Sequence, residues 1–209
     1  MVITTAVSLL PIIFGLIVYD KLPDQVPTHW NAAGEIDGWS SKTFAVFGLP
    51  CFMAVIGLLV QLGLSADPKR RNMPNIMVKF SAWICPLLSL FLVPSTLLAG
   101  MGHHINIALI TCLIVGAVFL VIGNYLPKCK QTYTMGIRLP WTLNSEENWN
   151  RTHRMSGKLW ILGGLLFIIL GFIAGNTNAG LVSAILFGNI AAMIIVPTVY
   201  SYLLYKRGI

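Results

Sequence analysis

The chain holds seven carboxylates, and four of them, Asp20, Asp24, Glu35 and Asp37, cluster near the N-terminal end. The same stretch carries His29, Trp30, Asn31, Gly34, Gly38 and Trp39 in the run HWNAAGEIDGW. Three kinds of chemistry suit such a set. Glu35, Asp37 and His29 could hold a cation, with His103 or His104 completing the shell. His29 beside an acid could move a proton in a membrane enzyme that acts on a peptide or lipid. Aromatic rings and carboxylates could instead grip a peptide or protein. The plain alternative is a compact structural loop pinned by its tryptophans. Adjacent histidines on a turn do not usually converge on one ion, so no metal, cofactor or catalytic residue is expected. Ligand binding is the expected role, carried by His29, Trp30, Asn31, Gly34, Glu35, Asp37, Gly38 and Trp39.

A second polar stretch, Thr134–Lys158, contains the run GIRLPWTL from Gly136 to Leu143. The planar fork of Arg138 suits a phosphate or a carboxylate. Pro140 breaks the chain, and Trp141 can anchor at a membrane interface. Asn144 or Ser145 is expected to cap a helix, Asn144 with Glu147 having the capping-box spacing. On that helix Arg151, Arg154 and Lys158 share one face, and Trp149, His153, Ser156 and Trp160 share another. The basic face suits anionic lipid. Arg138, Pro140, Trp141, Thr142, Trp149 and Arg154 are the candidates for signalling or partner contact. Glu146, Glu147 and Arg151 also match the Glu-Glu-x-x-x-Arg pattern of membrane CAAX-type proteases. That match is read as coincidence, because the pattern lies outside any span and His153 is the sole histidine on that side.

These stretches must be held by something, and the rest of the chain says what. It has 209 residues, of which 56% are hydrophobic and 10% charged. A soluble domain carries about 25% charged residues, so lipid is the solvent here. Six apolar segments approach the roughly 20 residues that span a bilayer. They are 2–19, 44–64, 80–99, 105–123, 159–175 and 181–205. The fold class is therefore all-α, a six-helix polytopic membrane protein, read as a single membrane domain over 1–209. Residues 1–64 supply two spans with the outer loop 20–43. Residues 65–209 supply four spans with the loop 124–158. Span one lacks the flanking charge and the cleavage site of a removable signal peptide.

The net charge of +7 reflects 14 Lys and Arg residues against 7 acids. Twelve of the cations fall on one side of the spans; only Lys21 and Lys42 fall on the other. That bias predicts both termini in the cytoplasm and HWNAAGEIDGW outside. It also accounts for the basic charge without nucleic acid as a direct partner. No Asp, Glu, Lys, Arg or His lies mid-span, which argues against a proton-coupled small-molecule transporter. Gln61 and Asn189 are expected to bond helix to helix, Gly171 and Gly175 to pack closely, and Pro50, Pro86, Pro94 and Pro197 to kink or end helices. The four cysteines form no Cys-x-x-Cys pair, so buried thiols are expected. In the outer loop, Pro23 and Pro27 exclude regular helix, and turns are expected at Asn31–Gly34 and at Asp37-Gly38. Trp30 and Trp39 suit headgroup depth.

The loop Leu22–Trp39, with its Leu-Pro-x-x-x-Pro-x-His-Trp and Asp-Gly-Trp elements, resembles the outer module of the SdpI-type membrane proteins. The Gly136–Leu143 run, with Trp149, Arg154 and Lys158 beyond it, resembles their second signature. Six spans and motif order extend the resemblance over the whole chain. The family's founding member protects Gram-positive cells from a secreted toxic peptide and is described as a receptor that holds a winged-helix repressor at the membrane. The resemblance thus implies a multi-pass bacterial plasma-membrane immunity protein, not an enzyme. Its implied partners are a secreted toxin peptide, membrane lipids and a cytoplasmic repressor. The alternatives from the residues alone are a membrane enzyme or a small-molecule transporter.

Overall fold

The computed structural model describes residues 1–31 and 34–209, and for Asn176 the backbone alone. Among them are six helical stretches of 20 to 28 residues, each long and apolar enough to cross a membrane. In hydrocarbon a backbone N–H finds no water, so each stretch closes its hydrogen bonds on itself. Span one divides into α1 (Val2–Leu9) and α2 (Pro11–Val18), because Pro11 has no N–H to offer the preceding turn. A short hairpin of β1 (Gln25–Trp30) and β2 (Ile36–Ser41) follows. Then come α3 (Leu49–Ala66), α4 (Asn75–Gly100), α5 (Ile107–Tyr125), α6 (Pro140–Asn144), α7 (Glu146–Ile173) and α8 (Ala179–Lys206). Pro86 and Pro94 lie inside α4 and Pro197 inside α8, so none of the three ends its helix. The basic helix after Ser145 and the fifth span are one continuous helix, α7.

The contacts group the chain into two compact units, Met1–Gly63 with Lys79–Ile107 and Leu64–Val78 with Ala108–Ile209. In the first unit Val18, Leu22, Val26, Ala45, Val46, Val93 and Leu97 form one buried cluster. Val26 belongs to β1, so the hairpin is seated on helix ends. Gln61 bonds helix to helix as expected, its side chain accepting from the Thr4 hydroxyl of α1 at 3.1 Å and donating to the Gly57 carbonyl of its own helix at 3.1 Å. Ser89 donates to the Ser8 carbonyl at 2.7 Å.

In the second unit α5 and α7 touch backbone to backbone. A Cβ on Gly164 would lie 2.7 Å from the Gly116 carbonyl oxygen, and one on Gly157 would lie 2.7 Å from that of Gly123. Gly171 faces the Cβ of Cys112 at 2.7 Å, whereas Gly175 has no neighbour within 4 Å. The close approach therefore follows the seven-residue series Gly157, Gly164 and Gly171, and the Gly171/Gly175 pair does not carry it. Phe119 packs edge-on against Trp160 and Phe167, with ring centroids 5.3 Å away in each case. Asn189 of α8 donates to the Gly163 carbonyl at 3.1 Å, the expected helix-to-helix bond.

These contacts set a graded expectation. Gly164→Ala must push α5 from α7 and should destabilise the protein by about 1–3 kcal/mol. Gly175→Ala meets open space and should stay within about 0.5 kcal/mol of the unaltered chain. Denaturant-driven unfolding in detergent micelles measures both; equal effects would remove the backbone contact as an organising feature.

Candidate functional site

Pro27 shapes the hairpin. It cannot donate to the ladder, and the pairing shifts register on both sides of His29. Val26 pairs with Ser40 and Pro27 with Trp39, then His29 with Gly38 and Trp30 with Ile36. The shift brings His29 Nδ1 within 2.5 Å of Asp37 Oδ1. A Cβ on Gly38 would sit 2.8 Å from the Cβ of His29, so only glycine fits opposite the histidine. Asp37-Gly38 is thus part of strand β2; the expected second turn is absent, because cross-strand pairing to His29 takes its place. The expected turn over Asn31–Gly34 runs through Ala32 and Ala33, which lie outside the described residues. Gly34 itself has φ +80°, the left-handed conformation anticipated for it.

The acids of the hairpin find partners within it. Glu35 accepts from the Asn31 side chain at 3.0 Å and donates its own backbone N–H to Asn31 Oδ1 at 3.0 Å. Asp24 pairs with Lys42 at 3.0 Å, and this hydrogen bond raises the Lys42 pKa. Trp30 is half-buried, while Trp39 is 56% exposed. The hairpin therefore brings His29, Asn31, Glu35, Asp37, Gly38 and Trp39 onto one two-stranded feature, with His29, Glu35, Asp37 and Trp39 exposed. His103 and His104 lie in the exposed turn after α4, and among the described residues no set of three or more His, Cys, Asp or Glu could hold a metal ion.

The second unit holds the other polar centre, and its key residue escaped the sequence reading. Asp67 is 5% exposed. Its Oδ2 accepts from the Tyr133 N–H (3.0 Å), the Thr134 N–H (2.8 Å) and the Thr134 hydroxyl (2.6 Å). Its Oδ1 accepts from the Lys69 N–H at 2.7 Å. Burial alone raises the pKa of this carboxyl. The Thr134 hydroxyl and the three N–H donors outweigh burial and hold it below the usual value. Beside it Gln131 accepts from Lys69 Nζ (2.9 Å) and donates to the Thr142 and Leu143 carbonyls at the end of α6. The available signal was a lone acid followed by proline, Asp67-Pro68, in an otherwise basic loop.

This knot fixes the run from Gly136 to Leu143. Gly136 has φ +104°, and a Cβ there would strike His153 and Trp149. The Ile137 N–H donates to His153 Nε2 at 2.9 Å, leaving Nδ1–H to donate to the Trp149 carbonyl at 2.8 Å. Trp149 stacks on His153 and donates its indole N–H to the Cys129 carbonyl. Burial pushes the Cys129 thiol up to about 11. Thr142 is fully buried, its hydroxyl accepting from Leu139 N–H and donating to the Ile137 carbonyl. Ser145 caps α7, accepting from the Asn148 N–H at 3.2 Å, whereas Asn144 ends α6 and takes no part in a capping box with Glu147. Trp141 stacks on Tyr205. Arg138 is exposed and donates to the Tyr133 carbonyl at 2.6 Å. Pro140, Arg151, Arg154 and Lys158 are exposed as well. Of the six candidates in this region, then, Arg138, Pro140 and Arg154 reach the surface, Trp141 is half-buried, and Thr142 and Trp149 are buried within its hydrogen-bond network.

Comparison with known proteins follows the same two centres. Residues 128–201, from the knot through most of α8, match the SdpI/YfhL protein family. Residues 6–54, which include the hairpin, match a domain of unknown function, DUF1648. The chain is 26% identical over 206 residues to the Immunity protein SdpI of Bacillus subtilis (strain 168), covering 99% of this chain and 96% of that protein. The chain is thus similar to SdpI along nearly its whole length, and its C-terminal third matches the SdpI/YfhL family model. No solved structure matches it. The two matched segments contain the 129–145 region and the hairpin respectively.

Because the folded pKa of Asp67 is depressed, its stabilisation is complete above the unfolded value of about 3.9 and is lost as pH falls through the folded value. Asp67→Ala leaves four part-buried donors without their acceptor, at about 1–3 kcal/mol in all. Hydrogen exchange of the 129–137 backbone should quicken at least about tenfold in this variant at pH 7. The difference from the unaltered chain should shrink on acidification. Unchanged exchange at Tyr133 and Thr134 would exclude the carboxylate as their anchor.

Proposed function

We propose that this chain is an immunity protein of the plasma membrane that shields its cell from a secreted antimicrobial peptide. The observation that carries this reading is the identity to SdpI along nearly the whole of both chains, running through both polar centres. The hairpin faces outward, where its aromatic and acidic residues meet the peptide, and both termini lie in the cytoplasm. The twelve-to-two distribution of Lys and Arg supports that orientation. The inner face around Arg138, Pro140, Trp141 and Arg154 reports occupancy by holding a small DNA-binding repressor at the membrane. Thr142 and Trp149 act there by positioning.

Orientation is tested with cysteines placed at Ile36 and Asn150, both exposed, after the native cysteines are replaced. Cysteine at Ile36 should react with an impermeant thiol reagent on intact cells, and cysteine at Asn150 only after permeabilisation. The reverse pattern sinks the proposal. Protection is tested by expressing the chain in a susceptible bacterium and challenging it with a panel of secreted antimicrobial peptides. Rescue against none of them overturns the immunity reading.

Glu35→Gln and Asp37→Asn keep size and remove charge. Each should leave membrane abundance unchanged and lower protection by about tenfold through weaker attraction of a cationic peptide. Arg138→Ala should abolish induction of a promoter reporter while survival stays intact. Parallel loss of abundance, survival and induction would instead make Arg138 a structural residue.

A further inference from the structure

Among the described residues the sheet has two strands, so each strand has one edge without a partner strand. The two edges differ. Strand β1 lies against the protein: Val26 is fully buried, Pro27 is buried and has no N–H, and a Cβ on Gly100 would lie 3.0 Å from Val26 and 3.5 Å from Pro27. Strand β2 faces away, with Ile36, Asp37, Trp39 and Ser41 all exposed.

The pairing sets which backbone groups β2 presents. The Lys42 N–H donates to the Asp24 carbonyl, and Ser40 stands opposite Val26. In an antiparallel ladder alternate residues turn their N–H and C=O to opposite sides. Ser40 and Lys42 therefore turn toward β1, and Trp39 and Ser41 turn outward. Natural edges of this kind are shielded by proline or lysine, and β2 contains neither. Exposed Ile36 and Trp39 add apolar contact beside the free edge. Charge selects the partner. Residues 20–42 carry four carboxylates against two lysines, in a chain that is otherwise basic. Asp24 and Asp37 are paired with Lys42 and His29, while Glu35 meets the uncharged Asn31 amide.

We propose that β2 is a docking edge on which a cationic peptide adds in extended form as a third strand. Main-chain bonds to Trp39 and Ser41 supply affinity, and the apolar and acidic side chains select the sequence. The inference rests on the immunity reading for the peptide nature of the ligand and adds how that ligand is held.

The test uses the full chain in nanodiscs of neutral phosphatidylcholine and a decapeptide of alternating lysine and valine. One version of the probe is N-methylated at every second residue, which leaves one edge able to pair. Another is N-methylated at every residue, which leaves none. The singly blocked probe should bind within about threefold of the unmodified one, and the fully blocked probe at least about tenfold more weakly. Carbon-13 carbonyls in the bound peptide should absorb as extended strand in the infrared. Trp39→Pro, which removes one outward N–H, should weaken binding where Trp39→Phe does not. Equal affinity of the three probes, or a bound probe that is helical or unordered, overturns the docking edge, as does a dimer of the chain that Trp39→Pro dissolves and the peptide does not displace. Such a result leaves the immunity reading standing if cells expressing the chain still survive peptide challenge. Failure of survival with strand addition intact removes the immunity reading alone.

Discussion

A peptide group inside hydrocarbon has no water to bond, and almost everything in this protein follows from that. Six stretches close their own hydrogen bonds as helices. Irregular and extended backbone is confined to the connections, where water or other protein groups can satisfy it. The two places where the chain departs most from helix are the hairpin Gln25–Ser41 and the segment Leu126–Ser145. Polar chemistry gathers there too, joined in the second case by Asp67 and Lys69 from the loop after α3. Function in such a protein is displaced to the ends of the spans because polar side chains are costly along them.

Lipid also changes what holds helices together. Burial of apolar surface gives little preference for one helix face when the surroundings are equally apolar. Close backbone approach and interhelical hydrogen bonds decide instead. In the second unit the glycines at 157, 164 and 171 let α7 approach α5 until a methyl group would not fit. In each unit an amide within a span, Gln61 or Asn189, contributes the polar contact.

The acids divide along the same lines. In the hairpin they serve short-range pairs that stiffen an exposed loop: Asp37 with His29, Glu35 with Asn31, Asp24 with Lys42. Asp67 works differently. It is buried among backbone donors rather than cations, and it ties residues 67–69 to residues 133–134. Through Gln131 and Thr142 that tie extends to α6, and it leaves Arg138 displayed beside a fixed backbone.

Composition alone determined the solvent, the number of spans and, through proline, glycine and the charge distribution, where polar structure had to lie. Those features depend on neighbours in the chain, since hydropathy, helix closure and the missing N–H of proline act locally. The glycine at 34 was legible for the same reason: a tight turn demands a left-handed residue. The tertiary structure decided what depends on distant pairs. Asp37-Gly38 reads locally as a turn, but His29 across the strand makes it a ladder position. Gly171 and Gly175 read as a packing pair, but only the residues facing α5 count, and these recur every seven. Asp67 and Thr134 are separated by two whole spans in sequence, α4 and α5, so no local pattern could join them. A carboxylate buried without a cation is tolerable only when several N–H and O–H donors converge on it, and that convergence exists only in the folded chain.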